Sequence, residues 1–280
     1  MRLAIQEGIF PVKDFPEFLR KAKGWGLKEV EVWGEGLGNR IDVVKKALKE
    51  TGLSACSICP GDRGIRGSLI DGDWKAADSD LRDFLRLGAA LGGTAAGTAA
   101  GTADGAAVIL VPRFRRKCFL KLYPTWDCFE GNREKFLERL APIAKEAEEL
   151  GVTILLEPLN RYEADFLITI GQAAKLCGEL GSPRVKILAD LFHMNIEEDD
   201  IPAVLAEHAK WIGHVHLADS NRKLPGMGHI DFPAALRALE DSGYGGPLCI
   251  ECHCPGPDTG TAAGPDEEIR RSIERLRAGA

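Results

Sequence analysis

The chain has 280 residues, of which 45% are hydrophobic and 28% are charged, and its formal net charge at pH 7 is -6. This composition is typical of a globular protein, and the acidic balance disfavours a nucleic-acid partner, which would need a clustered basic surface. The sequence contains no apolar run of the roughly 20 residues that span a membrane, and no amino-terminal targeting segment. We therefore expect a cytoplasmic protein without a membrane partner.

Cysteine usage favours the same compartment. The 8 cysteines are scattered over predicted strands and helices. Cys56 and Cys59 fall within one predicted strand, and the cluster of Cys249, Cys252 and Cys254 lacks a second pair at zinc-finger spacing. We expect buried, reduced thiols rather than disulfides or a zinc site.

Apolar runs bounded by glycine and proline predict eight strands, and amphipathic stretches predict a helix after each of them. The predicted strands are Leu3–Phe10, Glu29–Trp33, Ser54–Cys59, Ala106–Val111, Val152–Leu156, Val185–Asp190, Ile212–His216 and Leu248–Glu251. The predicted helices are Phe15–Gly24, Ile41–Glu50, Trp74–Leu91, Asn132–Leu150, Ile170–Leu180, Ile201–Trp211, Phe232–Ser242 and Pro265–Arg277. This alternation predicts a parallel sheet that closes into a single (β/α)8 TIM barrel spanning residues 1–280. The alternative, a doubly wound open sheet, lacks a glycine-rich dinucleotide motif after the first strand.

One low-complexity segment interrupts the pattern. Residues 93–104 read GTAA, GTAA and GTAD, and they lie between the third predicted helix and the fourth strand. A connection from a helix to a strand runs along the amino-terminal face of a barrel, away from the site. We expect a loosely packed extension without a function.

The last four predicted strands end in chemically active side chains. Glu157, Asp190, His216 and Glu251 stand at or just beyond their carboxyl ends, which meet at one mouth of a barrel. Three carboxylates and one imidazole suit a divalent ion, Mn²⁺, Mg²⁺ or Co²⁺, with Mn²⁺ preferred. One such acid alone could simply cap a helix, but four together favour a metal site. Strand alternation puts His214 on the same face, and we interpret it as an interior histidine with satisfied hydrogen bonds.

Further polar and aromatic residues surround this mouth, and each has a structural alternative. His193 could contact a substrate oxygen or cap a turn, and Arg222 could orient a substrate hydroxyl or be a solvated loop charge. Glu163 could bind a hydroxyl or pair with Arg161 or Arg222. The aromatic residues of the segment after the fourth strand could cover the pocket or pack on the rim; they are Phe114, Tyr123, Trp126 and Phe129.

Several motifs together resemble the xylose isomerase-like TIM barrels, and most of all their ketose 3-epimerases of the tagatose and psicose type. The motifs are Glu157–Glu163 (EPLNRYE), Asp190–Asn195 (DLFHMN), His214–Arg222 (HVHLADSNR), Pro225–Asp231 (PGMGHID) and Ile250–Glu251. The resemblance implies that Glu157, Asp190, His216 and Glu251 hold the metal. It also implies that Glu163, His193 and Arg222 bind substrate hydroxyls. The first half of the chain matches only in its rhythm of strands.

The resemblance implies a metal-dependent isomerase that acts on a small ketose, with epimerisation at C3 favoured. Glu157 and Glu251 would be the two catalytic groups, because epimerisation removes a proton from one face of the carbon and returns one to the other. The alternatives are an aldose–ketose isomerase, a hydroxypyruvate-type isomerase, an inosose dehydratase or a non-catalytic sugar- or metal-binding protein. The related apurinic endonucleases need histidines from several strands, whereas the first half of this chain has none. A homo-oligomer is compatible with the sequence.

Overall fold

A computed structural model describes residues 1–61, 64–92, 104–112, 128–253 and 264–279 of the chain. Eight parallel strands follow one another in chain order and close into a barrel through β1 and β8. They are β1 (Arg2–Gln6), β2 (Glu29–Trp33), β3 (Ser54–Cys59), β4 (Ala107–Leu110), β5 (Ile154–Leu156), β6 (Val185–Asp190), β7 (Ile212–Leu217) and β8 (Pro247–Ile250). The predicted (β/α)8 TIM barrel is confirmed.

Helices surround the barrel and connect its strands. They are α1 (Phe15–Gly24), α2 (Leu37–Thr51), α3 (Trp74–Leu91), α4 (Cys128–Leu150), α5 (Ile170–Leu180), α6 (Leu191–Glu197), α7 (Ile201–His208), α8 (Phe232–Asp241) and α9 (Pro265–Ala278). Among the helices of the described ranges, none combines the length and apolar character needed to cross a lipid bilayer.

Two local predictions were wrong. The first strand ends at Gln6 rather than Phe10, because the chain turns at Gly8, whose φ of 98° lies in the region that favours glycine. The short helix α6 follows β6 directly and was not predicted. Its start is capped by Asp190, whose Oδ1 accepts a hydrogen bond of 2.8 Å from the backbone N–H of Phe192.

The apolar core lies mainly between the barrel and its helices, where large side chains such as Phe18, Phe136 and Phe166 are fully buried. Among the described residues, a second and much smaller apolar cluster is made by Ile109, Leu155 and Leu188 of β4, β5 and β6. The barrel interior contains buried polar side chains, among them Gln6, Glu31, Ser57, His214 and His216. Buried polar groups need partners, and Gln6, Ser57 and His216 each bond to Glu31.

Two features of the sequence lie mostly outside the described residues. Residues 93–103 of the repeat lie outside the described ranges, whereas Asp104 precedes β4 and pairs with Arg184 at 2.8 Å. The placement and role of the repeat stay a prediction. Of the four rim aromatics, only Phe129 is described. It is buried in α4, and its ring centroid lies 5.5 Å from that of Phe166, so it packs on the barrel rather than covering a pocket.

Helix α5 begins with a reciprocal capping box that should stabilise the fold measurably. Thr169 Oγ1 accepts from the backbone of Gln172 at 3.2 Å, and Gln172 Oε1 accepts from the backbone of Thr169 at 3.3 Å. Thr169→Ala is expected to lower the free energy of unfolding by about 1 kcal/mol in a urea titration. Thr51→Ala is the matched control, because the Thr51 hydroxyl only donates to carbonyls within helix α2. Equal losses in the two variants would contradict this capping role.

Candidate metal and substrate site

The four predicted ligands meet at the carboxyl end of the barrel. His216 projects from β7, with its Nδ1 3.6 Å from Glu157 Oε1 and 3.4 Å from Glu251 Oε2. Asp190, His216 and Glu251 each offer a ligand atom within 4.8 Å of the others, and Glu157 is grouped in the same way with Asp190 and His193. The strands therefore bring together the side chains that the sequence predicted would converge.

The two ring nitrogens of His216 have different surroundings. Nε2 lies 3.1 Å from Glu31 Oε2 and donates a hydrogen bond to this carboxylate, which can only accept. Nδ1 is buried and has no hydrogen-bond partner, yet it faces Glu157 and Glu251. A nitrogen surrounded by carboxylates needs a positive charge beside it, from a proton or from a metal ion. The donor set therefore fits a divalent cation.

Arg222 supplies positive charge to two of these carboxylates. Its Nη1 lies 2.5 Å from Asp190 Oδ2, its Nη2 donates to Glu251 Oε2, and its guanidinium lies 4.7 Å from the ring centroid of Phe192. The backbone of Arg222 has a φ of 59°, which is uncommon outside glycine. The turn is held by Asp219, whose backbone carbonyl accepts from the Arg222 N–H at 2.7 Å. Arg222 is thus an inward-facing residue of the site and not a solvated loop charge.

The two candidate catalytic carboxyl groups differ in their electrostatic surroundings. Burial raises the pKa of Glu157, and His216 offsets only part of that effect. Burial also acts on Glu251, but the charges of Arg222 and His216 outweigh it and lower the pKa of this carboxyl to about 2. Carboxyl groups with contrasting environments are typical of sites that transfer protons.

His193 and Glu163 are joined through Asn160. The Asn160 backbone N–H donates to His193 Nδ1 at 3.2 Å, and its side-chain nitrogen lies 3.0 Å from Glu163 Oε1. Because Nδ1 of His193 accepts, its Nε2 carries the proton and is free to donate to a ligand oxygen beside Asp190 Oδ2, 3.5 Å away. Glu163 pairs with neither Arg161 nor Arg222. Arg161 binds Glu197 at 2.9 Å, and Arg222 binds Asp190 and Glu251.

A cavity of about 450 Å³ opens over these groups, within the range typical of small-molecule sites. One wall is polar and consists of Glu157, Glu163, His193, Arg222 and Glu251. The opposite wall, from the ends of β2 to β4 and the segments that follow, is mostly apolar and contains Trp33, Pro60, Ile65, Ile109, Val111 and Pro112. The polar side chains of that wall are already bonded, Arg66 to Asp80 and Ser68 to the carbonyl of Pro112.

Comparisons with known proteins agree with this fold. The family described as xylose isomerase-like TIM barrel matches residues 7–279. The 3-dehydro-D-guloside 4-epimerase of Escherichia coli (strain K12) is 30% identical to the chain over 279 residues, 99% of each protein. This chain belongs to the xylose isomerase-like TIM barrel family.

Other relatives in this family share part of the sequence or the fold. The crystal structure of 3-keto-D-glucoside 4-epimerase from E. coli matches over 99% of both chains, with a TM-score of 0.83 and 29% identity. The D-psicose 3-epimerase of Ruminiclostridium cellulolyticum is 35% identical over 144 residues, 51% of this chain and 48% of that protein. The structure of D-psicose 3-epimerase from Clostridium cellulolyticum H10 with D-tagatose has a TM-score of 0.82 at 22% identity, a likeness of fold.

Glu31, which the sequence patterns did not single out, lies inside this xylose isomerase-like barrel and is fully buried. The available signal was the alternation in β2, Glu-Val-Glu-Val-Trp, which puts Glu29 and Glu31 on one face of a strand predicted to be buried. His214 also differs from its interpretation as a satisfied histidine. It is interior, but its buried Nε2 has no hydrogen-bond partner and lies 3.4 Å from Glu31 Oε2.

Of the six described cysteines only Cys177 and Cys249 are buried as expected, and the other four are half-buried. Cys56, Cys59, Cys128, Cys177, Cys249 and Cys252 are free thiols. Burial raises the pKa of Cys249 well above its ordinary value, so this thiol is protonated at neutral pH. Nucleophilic cysteine chemistry has no support at these positions.

Proposed function

We propose that this chain is a metal-dependent sugar epimerase that inverts the hydroxyl-bearing carbon next to a ketone. The observation that carries the proposal is the placement of two carboxyl groups, the buried Glu157 and the partly buried Glu251, around His216 Nδ1 at one cavity. Epimerisation needs one proton acceptor and one proton donor near the same carbon, and this arrangement offers both. The names of the family relatives, sugar 4-epimerase and ketose 3-epimerase, support the same chemistry.

In the proposed reaction, one glutamate removes the proton from the carbon next to the ketone, and the other returns a proton to the opposite face. Which glutamate acts first depends on the configuration of the incoming sugar. A divalent ion held by Glu157, Asp190, His216 and Glu251 would polarise the ketone and stabilise the negative charge on its oxygen. Mn²⁺ is our preferred ion, with Mg²⁺ or Co²⁺ as alternatives, because hard oxygen ligands dominate this set.

We assign substrate binding to three further side chains. His193 donates from Nε2 to a sugar oxygen, since Asn160 occupies its Nδ1. Glu163 accepts from a sugar hydroxyl and keeps its own position through Asn160. Arg222 binds a sugar oxygen from the place where it now meets Asp190 and Glu251.

Two substrate classes contain the required carbon. In a 2-ketose it is C3, which the motifs of the second half favour. In a 3-keto glycoside it is C4, and two observations favour this second class. Over the whole chain, identity is 29% with the 3-keto-D-glucoside 4-epimerase structure but 22% with the D-psicose 3-epimerase structure. The cavity also has a broad apolar wall, which suits the group attached to a glycoside better than the hydroxyls of a free sugar.

The proposal is tested by incubating the protein and Mn²⁺ with ketoses and 3-keto glycosides in deuterated water. We expect deuterium at the carbon next to the ketone, together with inversion there, at C3 of a ketose or C4 of a 3-keto glycoside. Exchange only at C1 of a ketose would identify an aldose–ketose isomerase, and loss of water would identify a dehydratase. Absence of any exchange across the panel would identify a binding protein instead.

We also propose an unphosphorylated substrate. Arg222 is engaged by Asp190 and Glu251, and Lys223 is exposed to solvent. Neither therefore forms a buried phosphate site in the described part of the mouth. A strong preference for the phosphate ester over the free sugar in the same panel would contradict this proposal.

Trp33 is expected to contribute to substrate affinity from the apolar wall. Its ring lies directly on Gly61, where a Cβ atom would come within 2.7 Å of Trp33 Cζ2. Trp33→Ala is expected to raise KM for a 3-keto glycoside about tenfold, corresponding to about 1.4 kcal/mol of lost contact, with a smaller change in kcat. Trp211→Ala is the matched control, because Trp211 is also half-buried but precedes β7 at the other end of the barrel. Similar KM changes in both variants would remove Trp33 from the binding site.

A further inference from the structure

Glu31 is a buried carboxylate that the proposed reaction does not use directly. It projects from β2 into the barrel, and its side chain is fully shielded from solvent. Its Oε1 accepts from Gln6 Nε2 at 2.8 Å, and its Oε2 accepts from Ser57 Oγ at 2.6 Å and from His216 Nε2 at 3.1 Å. Glu31 therefore accepts from three buried side-chain donors.

A local irregularity in the pairing of β2 with β3 brings Ser57 beside Glu31. The pairing of β2 with β3 shifts between Val30 and Glu31, so that Val30 lies opposite Ala55 but Glu31 lies opposite Ser57. The extra residue, Cys56, bulges out of the ladder. Without this shift the residue opposite Glu31 would be Cys56, a much weaker donor than the Ser57 hydroxyl. The strand pairing therefore places a strong donor beside Glu31.

The hydrogen bonds determine how His216 can act. An ionised carboxylate accepts but cannot donate, so His216 Nε2 keeps its proton. Gln6 Nε2 and Ser57 Oγ donate to the same carboxylate, so both of its oxygens act as acceptors. With Nε2 held in this way, the lone pair of neutral His216 is on Nδ1, directed at Glu157 and Glu251.

We propose that Glu31 is the positioning residue of the metal site: it orients the imidazole of His216 and keeps Nδ1 available as the metal ligand. This inference rests on the metal site of the proposed function. A carboxylate that accepts from the distal nitrogen of a histidine ligand fixes the ring and increases its basicity, and loss of such a partner typically lowers metal affinity about 10- to 100-fold.

Gln6 extends the same network to the mouth. Its Nε2 lies 2.8 Å from Glu31 Oε1 and 3.2 Å from Glu251 Oε1. Glu31 therefore contacts His216 directly and is linked to Glu251 through Gln6. In Glu31→Gln, one carboxylate oxygen is replaced by an NH₂ group, which is a donor. In one orientation this group would face the donor Gln6, and in the other it would face the donors Ser57 and His216. Glutamine thus preserves the volume but cannot reproduce the hydrogen bonds.

A competing interpretation is that Glu31 is itself a metal ligand. Glu31, His214, His216 and Cys249 offer ligand atoms within 4.8 Å of one another. We favour the positioning role, because the Glu31 oxygens already accept from neutral donors and the Cys249 thiol, a weak ligand while protonated, donates to the carbonyl of Ile250. The two interpretations predict different metal counts, one and two ions per chain.

The test compares Glu31→Gln with Glu29→Gln in the full-length protein. Glu29 lies two residues earlier in β2 and pairs with the half-exposed Arg2 at the amino-terminal end of the barrel. Calorimetric titration with Mn²⁺ should show one ion in wild type, a 10- to 100-fold weaker Kd in Glu31→Gln, and an unchanged Kd in Glu29→Gln. The visible spectrum of the Co²⁺-loaded protein should change only in Glu31→Gln.

Ser57→Ala keeps the carboxylate and removes one of its donors, which makes it informative even if Glu31→Gln does not fold. Its Kd should lie between wild type and the 10- to 100-fold loss. Wild-type affinity in a folded Glu31→Gln variant, or in Ser57→Ala if Glu31→Gln is not recovered, would overturn the positioning role. So would a second ion in wild type that is lost with Cys249→Ser.

Failure of the proposed metal site is distinguishable from failure of this inference. If wild-type protein binds no divalent ion, the proposed function is wrong in its metal dependence. Nitrogen-15 NMR of metal-free protein, at a pH where His216 is neutral, then tests Glu31 alone. A proton on Nε2 of His216 in wild type, with a changed pattern in Glu31→Gln, supports the positioning role, and a proton on Nδ1 in wild type overturns it.

Discussion

Replacing either Glu157 or Glu251 by glutamine is expected to lower the turnover of the epimerase by about 10²–10⁴-fold. Glutamine keeps the shape of the side chain but cannot accept the substrate proton. Each variant should remain folded, which circular dichroism and thermal unfolding can check. Glu197→Gln is the matched control, because Glu197 is a buried glutamate that pairs with Arg161 and lies outside the cavity lining.

The two variants should differ in a way that separates the roles of the glutamates. With one proton acceptor left, the variant should still remove the proton from one epimer. That epimer would then exchange its hydrogen with deuterated water without inverting, and the other epimer would be inert. Glu157→Gln and Glu251→Gln should show opposite preferences. Inversion at wild-type rates in both variants would contradict the two-base reaction, whereas loss of exchange with both epimers in both variants would assign the residues to metal binding alone.

Removal of divalent ions with a chelator is expected to stop turnover, and added Mn²⁺ is expected to restore it. The buried carboxyl groups of Glu157 and Asp190 and the partly buried carboxyl group of Glu251 lie around His216, so the loaded ion should also stabilise the fold. At an ion concentration about 100 times Kd, the free energy of unfolding should rise by about 2.7 kcal/mol. Metal analysis of protein purified without chelator should show about one ion per chain.

His216→Gln tests whether this stabilisation comes from the proposed site. Glutamine retains a polar group near Glu31 but has no atom in place of Nδ1, so the stabilisation by Mn²⁺ should be largely lost. His208→Gln is the control, because His208 ends α7 on the outside of the barrel beside Glu207. If His216→Gln keeps the full Mn²⁺-dependent stabilisation, the ion binds elsewhere in the molecule.

The second half of the chain was predictable because its chemistry coincides with its secondary structure. In β6 (Val185–Asp190) every residue except the half-buried Lys186 is buried, and the strand ends in the acidic Asp190. Such a pattern indicates both a parallel strand and the end at which its functional side chain stands. With four strands of this kind, the barrel topology alone predicted that Glu157, Asp190, His216 and Glu251 would meet.

Arg222 and the start of α6 depended on details that the sequence pattern does not contain. The direction of Arg222 follows from one backbone angle and from the Asp219 turn, neither of which is visible as periodicity. Helix α6 follows β6 without a linker, because Asp190 ends the strand and caps the helix with the same side chain. Sequence patterns assign Asp190 to the strand alone, although it also caps the helix.

The sequence by itself determined the order of the strands and of every helix except α6, the closed barrel, the family, and the set of side chains at the carboxyl ends of β5 to β8. Periodicity and strand polarity are local properties, and barrel closure converts them directly into position. Only the tertiary structure decided that Glu31 bonds to His216, residues 185 positions apart in the chain. Their contact depends on the packing of the barrel interior, where side chains of β2 and β7 meet, and this packing leaves no local signal in the sequence.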